Sequence, residues 1–152
     1  MKSSIINFLG ENMKKISLII FAALLSYSLF GLKVDADEKF TLSGKVTSIS
    51  LTDQGGVINV SSKAGRYGKV FLTYNLKLDN PNYTSQGSFI GRGVGINDDG
   101  NRNSGSRQGV WKREGNIITF HSLDDVTDGN RNFCISKLNL TEETLEMTFY
   151  PF

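Results

Sequence analysis

Cysteine, histidine and tryptophan each occur once in the 152 residues, and proline only twice. With Cys134 alone, no internal disulfide can staple the fold, so burial has to hold it. One histidine and one cysteine also cannot complete a four-ligand zinc site. Cys134 stands between Phe133 and Ile135 in a strand-like run, where a small buried hydrophobe is expected. Net charge is nearly absent as well. Seventeen basic residues face fifteen acidic ones, but four of the former and two of the latter precede Asp37, leaving thirteen of each sign. A neutral domain with interspersed signs offers no electrostatic footprint for nucleic acid or for an anionic membrane.

Long apolar runs are missing, with one exception. Ile16 to Leu32 reads ISLIIFAALLSYSLFGL, 17 residues broken by serines and a glycine. That is just short of the roughly 18 to 20 that a comfortable membrane span needs. Lys14 and Lys15 precede the run, and Val34-Asp35-Ala36 follows with small or aliphatic residues where a signal peptidase inspects the chain. A basic start, an apolar middle and a small-residue end are the parts of a secretory signal. Residues 1–36 are therefore expected to be a helical signal peptide, with Met13 a more orthodox start than Met1. An uncleaved N-terminal anchor is the alternative. Cleavage leaves no stable membrane span and sends the chain to a secreted or periplasmic destination. No cysteine near the cut supports a lipid anchor.

Amphipathic helical spacing does not appear after Ala36; period-two patterns do. Val70, Leu72, Tyr74, Leu76 and Leu78 alternate with Phe71, Thr73, Asn75 and Lys77, the pattern of a half-buried strand. Comparable runs are Phe40 to Ser50, Val57 to Ser61, Ser88 to Ile96, Arg107 to Lys112, Ile117 to His121, Asn132 to Leu140 and Leu145 to Tyr150. Turn formers separate them, among them Asp53-Gln54-Gly55-Gly56, Asn80-Pro81-Asn82 and Glu114-Gly115-Asn116. Residues 37–152 thus read as one all-β domain: an eight-stranded antiparallel meander closing into a small barrel, which removes exposed edges. A β-sandwich is the alternative.

The pentapeptide DGNRN occurs twice, from Asp99 to Asn103 and from Asp128 to Asn132. Two strands separate the copies, so a meander brings both to one end of the sheet. An EF-hand loop needs glycine at its sixth position and glutamate at its twelfth, where this chain has Ser104 and Val110, then Phe133 and Asn139. That reading fails. A looser calcium site on the rim, using Asp98, Asp99, Asp124, Asp125 and Asp128, stays open, although turn chemistry explains these residues more simply. Gly91-Arg92-Gly93-Val94-Gly95 is not a nucleotide fingerprint, because no helix follows it. Its glycines share one strand face, leaving that face bare so that the sheet coils sharply or a large ring lies flat on the backbone. If they point inward, they leave room for a ligand beside Phe89. If the opposite face does, Arg92 becomes an interior cation in need of a partner.

Catalytic signatures are sparse. His121 precedes Ser122, Asp124 and Asp125, but no G-x-S-x-G elbow is present. No metal site and no cofactor are expected. The residues placed at a ligand site are Tyr74, for a phenolic hydrogen bond among leucines, together with Arg92, Trp111, Phe120 and His121. Asn59-Val60-Ser61, Asn82-Tyr83-Thr84 and Asn139-Leu140-Thr141 are glycosylation sequons, which count only in a eukaryotic secretory pathway.

Two segments carry a resemblance. Gly87-Ser88-Phe89-Ile90-Gly91-Arg92-Gly93 and the stretch from Gly109-Val110-Trp111 through Gly115-Asn116-Ile117-Ile118-Thr119-Phe120 form a glycine-punctuated meander. Residues 37–152 resemble in this the small eight-stranded barrels of the lipocalin-like and allene-oxide-cyclase-like groups. Lipocalins place Gly-x-Trp on their first strand, whereas here Gly109-Val110-Trp111 comes late, and no cyclase catalytic residue matches. The resemblance implies a cup for a small apolar or amphipathic molecule. Three functions are open on these grounds: a non-catalytic binder of such a ligand, an isomerase or cyclase acting inside the barrel, and a protein- or glycan-interaction module using the polar rim.

Overall fold

The computed structural model describes residues 38–152. The expected signal peptide and the alternative start at Met13 lie outside the described residues. Eight strands follow one another: β1 (Phe40–Thr52), β2 (Gly55–Lys63), β3 (Lys69–Lys77), β4 (Gln86–Ile96), β5 (Arg102–Glu114), β6 (Ile117–Val126), β7 (Arg131–Asn139) and β8 (Thr144–Pro151). A single 3₁₀ turn, Gly65–Tyr67, joins β2 to β3. Each strand pairs antiparallel with the next, and β1 pairs with β8 from Phe40 opposite Phe149 to Lys45 opposite Thr144. The sheet is a closed barrel, not a sandwich, and among the described residues no strand is left with a free edge.

The expected alternation sets the inside and the outside. On β3, Val70, Leu72, Tyr74 and Leu76 are buried while Phe71 and Asn75 face solvent. β5 and β6 are longer than their apolar content suggests. Polar residues 102–106 and 122–126 read as loop in the sequence, yet Gly105 pairs with Val126 and Ser106 with Asp125 as the ladder runs on. A backbone ladder needs no apolar side chains on its outer face, which is why composition alone ends these strands early.

The meander sends the loops alternately to two ends, and the inward side chains differ sharply between them. Toward the end closed by the bends at 53–54, 115–116 and 140–143, the interior positions carry Ile58, Leu76, Phe89, Trp111, Ile118, Phe120, Leu138 and Leu145, all buried. The Tyr74, Phe89 and Phe120 rings pack with centroids 4.4 to 5.4 Å apart. The Trp111 indole N–H donates to the carbonyls of Ser88 at 3.0 Å and Lys77 at 3.3 Å. Each such large side chain contributes about 1.5–3 kcal/mol by leaving water. This half is a solid plug. Toward the other end the same inward positions carry Gly93, Gly95, Gly105, Asp124, Asn132 and Cys134. Side chains that small or polar cannot fill a barrel of fixed girth, so this half is hollow.

The glycine stripe faces inward, on the same side of β4 as buried Phe89, and Arg92 therefore points out. Its glycines are not equivalent. A Cβ on Gly91 would collide with the Thr73 carbonyl of β3, because the sheet coils tightly there. A Cβ on Gly93 would meet only the Leu72 Cδ2 at 3.3 Å, with the hollow beyond it. Gly91→Ala is expected to cost about 1–3 kcal/mol by forcing the backbones apart. Gly93→Ala should stay within about 0.5–1 kcal/mol of the parent, since one flexible side chain can give way. Urea unfolding of both variants checks the contrast.

Candidate functional site

The hollow half forms a cavity of about 920 Å³ that is open to solvent at its mouth. Ligand sites typically occupy ~300–1,000 Å³. Leu42 of β1, Val70 and Leu72 of β3, and Met147 and Phe149 of β8 supply its apolar wall. Its polar lining includes Arg107 of β5 and Asp124 of β6, which are register partners across the two strands. The Arg107 Nε donates to Asp124 Oδ2 at 2.7 Å, and the two side chains are only 2% and 11% exposed. Arg107 Nη2 also reaches Ser122 Oγ at 3.4 Å, and the guanidinium carbon lies 4.8 Å from the centre of the Tyr74 ring. Ser122 Oγ in turn donates to Asp124 Oδ1 at 2.8 Å, so both carboxylate oxygens are engaged. Burial works against the Arg107 charge, but the Tyr74 phenol and the Asp124 carboxylate outweigh it and raise its pKa above the ordinary arginine value. The cation is permanent.

One atom of this cluster is left over. Arg107 Nη1 is the single buried side-chain nitrogen or oxygen among the described residues that has no hydrogen-bond partner. A buried donor without an acceptor carries an uncompensated desolvation cost of about 1–3 kcal/mol, more when charged. Cys134 lines the same cavity, and its thiol is pushed well above the ordinary range, first by burial and then by the Asp124 charge. It stays protonated and is no nucleophile.

The mouth is partly bridged. Both DGNRN bends lie at the open end, together with the 3₁₀ turn between β2 and β3. From that turn, Arg66 Nη2 reaches Asp128 Oδ2 at 2.9 Å, and the Tyr67 hydroxyl donates to the same oxygen at 2.8 Å. Asn130 Nδ2 donates to the Tyr67 hydroxyl at 3.0 Å. The β2–β3 turn is thus tied to the β6–β7 bend on the far side of the ring. Gly95 makes room for the strap, since a Cβ there would sit 2.8 Å from the Tyr67 carbonyl oxygen. The second pentapeptide anchors this tie. The first closes only on itself, with Asn97 Oδ1 accepting from the Asn101 amide at 2.8 Å.

The residues expected at a ligand site are not brought together. Tyr74 is fully buried at the boundary between plug and cavity, where its ring faces Arg107. Trp111 and Phe120 belong to the plug. Arg92 lies on the outer face of β4, where it donates to Ser104 Oγ at 3.2 Å; the interior cation is Arg107 instead. His121 is exposed on the outside, stacked on Phe133 with centroids 6.3 Å apart, because it alternates with inward Phe120 and Ser122. The rim carboxylates do not gather for calcium either. Asp124 is committed to Arg107 and Asp128 to the strap, and among the described residues no three such groups come within reach of one ion. Arg107 and Asp124 were missed as a pair, although the signal was present. Arg107 shares parity with Trp111, and Asp124 with Phe120, so each had to follow a core aromatic inward.

No family model, curated protein or solved structure matches this chain. Any function has to be argued from the cavity itself.

Two outcomes are expected. Arg107→Met strands a buried carboxylate and should cost about 3–5 kcal/mol, whereas the Arg107→Met/Asp124→Leu double variant should recover most of that loss in thermal unfolding. The second concerns pH. Burial disfavours the Asp128 charge, but the Tyr67 hydroxyl, the Asn130 backbone amide and the Arg66 guanidinium outweigh it and hold its pKa below the ordinary value. A lowered carboxyl pKa stabilises the strap above the unfolded-state value and loses that contribution as pH falls through the folded one. Amide exchange of Tyr67 and Gly68 should therefore be slow at neutral pH and accelerate, after correction for the intrinsic rate, below the usual aspartate range. Asp128→Asn should abolish that pH dependence.

Proposed function

We propose that this chain is an exported binder of a small apolar or amphipathic molecule, which it holds in the hollow half of its barrel without transforming it. The observation that carries this reading is the contrast within one interior. A barrel evolved only for stability gains by filling both halves, since every void forfeits contacts and burial. Here the plug is densely aromatic and the opposite half is open, walled by aliphatic and sulfur-bearing side chains, and strapped at its mouth. That arrangement fits the cup expected from the likeness to lipocalin-like barrels. Export rests on the N-terminal sequence pattern. An interaction module working through its rim has no use for such a cavity.

An enzyme of isomerase or cyclase type is the second reading, favoured by Arg107, Asp124, Ser122 and Tyr74 meeting at one level of the barrel. Proton transfer needs a group free to take or give a proton near neutral pH. Asp124 already accepts on both oxygens, Arg107 is permanently charged and Cys134 is held as a thiol. Binding is the stronger reading.

The neutral dye N-phenyl-1-naphthylamine tests it. Its fluorescence should rise and shift to the blue on mixing with the protein, saturating at one equivalent. Val70→Trp combined with Gly93→Leu places new bulk in the cavity and should weaken the dye at least about tenfold, with the fold intact by circular dichroism. No dye binding, or binding indifferent to these substitutions, would refute the cavity as the site.

A further inference from the structure

The lining of the cavity is divided around the ring, one flank apolar and the other polar. Its apolar side chains come from β8, β1 and β3: Met147 and Phe149, then Leu42, then Val70 and Leu72. Its polar ones come from the consecutive strands on the other side, with Asn103 and Arg107 on β5, Asp124 on β6 and Asn132 on β7. Arg107, Asp124 and Asn132 are in register and make one row across those strands. Asn103 lies nearer the mouth on the same face of β5 as Arg107, about 13 Å along the strand. Val126 and Cys134 interrupt the polar flank, and Glu38 and Lys39 add charge to the other only at the exposed rim before β1.

Two members of the polar flank have bonding capacity to spare. Arg107 and Asp124 are taken up with each other. Asn103 and Asn132 are half-buried, and among the described residues neither side-chain amide is hydrogen-bonded to the protein. Each is the last residue of a DGNRN copy, whose bonds run through earlier positions: Asn101 in the first, Asp128 and Asn130 in the second. An uncharged amide both donates and accepts, which suits a hydroxyl, itself donor and acceptor. A charged group would find no unpaired counter-ion on these three strands. A hydroxyl turned to the opposite flank would meet hydrocarbon and lose bonds without replacement.

Resting on the reading of the cavity as a binding site, we infer that its ligand is a neutral hydroxylated compound whose hydroxyl groups lie along one edge of an apolar body. They bond to Asn103 and Asn132, and the bare edge packs against Leu42, Val70, Leu72 and Phe149. A compound polar at one end only, such as a long-chain alcohol, leaves part of the polar flank unanswered.

Calorimetric titration at neutral pH with naphthalene-2,7-diol and naphthalene-2,6-diol tests this. The isomers share one body, but the first carries both hydroxyls on one edge and the second carries them on opposite edges. The native protein should bind the 2,7 isomer about tenfold more tightly, because the 2,6 isomer must press one hydroxyl against the apolar flank. Asn103→Leu/Asn132→Leu removes both amides without breaking a bond within the protein, and should abolish that preference while N-phenyl-1-naphthylamine still binds. Equal affinities for the native protein, or a preference for the 2,6 isomer, overturn the inference, and that comparison needs no variant. A preference that survives the double substitution overturns it as well, as does a native protein that takes the dye and neither diol. Exclusion of the dye itself is a different outcome: it removes the cavity reading, and this ligand class with it.

Discussion

Closure of β8 onto β1 is the constraint from which the rest follows. Six paired positions, Phe40 with Phe149 through Lys45 with Thr144, turn an open meander into a ring of fixed girth. Once the ring is closed, strand parity assigns every side chain to the interior or to solvent, and the interior volume no longer adjusts to what is put inside it. Large residues at one level then make a plug and small ones at the next level leave a void. The chain does both. Phe89 and Gly93 sit on the same face of the same strand, two inward positions apart, yet one is packed among aromatic rings and the other opens on the cavity.

The buried Arg107–Asp124 pair is costly by itself, since neither ion recovers its hydration fully from the other. Several contacts offset part of this. Ser122 bonds to both partners, and Tyr74 lays its ring under the guanidinium, an arrangement worth about 2 kcal/mol when desolvated. Two methionine or leucine side chains would fill the space with less risk. Arg107 and Asp124 instead stand together at the wall of the cavity. The strap adds a second polar device at the mouth, built from one of the two repeated bends. Identical pentapeptides thus have different work, because only the second lies across from the 3₁₀ turn.

Fold class was legible in the residues because a barrel of this kind is written in parity. The β3 run from Val70 to Leu78 shows it most openly, and the tight turns between runs fix the order of strands. The site was less legible. Arg107 and Asp124 lie in polar stretches, RNSGSRQ and HSLDDV, where alternation of apolar and polar residues is lost, so nothing local says which face is inside. Only counting in twos from Trp111 and Phe120 recovers it. Arg92 drew attention because it stands among glycines with Ile90 and Val94 on its own face, and that face lies outward. Exposed Ile90 and Val110 show why hydrophobicity misled: the outer surface of this barrel is itself partly apolar. The strap was beyond reach, since Tyr67 and Asp128 are 61 residues apart and meet only across the closed ring.

Methyl NMR of the protein with and without N-phenyl-1-naphthylamine bears most directly on the division of the interior into plug and cup. Resonances of Val70, Leu72 and Met147 are expected to move on titration, while those of Ile118, Leu138 and Leu145 stay in place. Shifts confined to outward methyls such as those of Ile90 and Val110, or spread evenly through the plug, would contradict it.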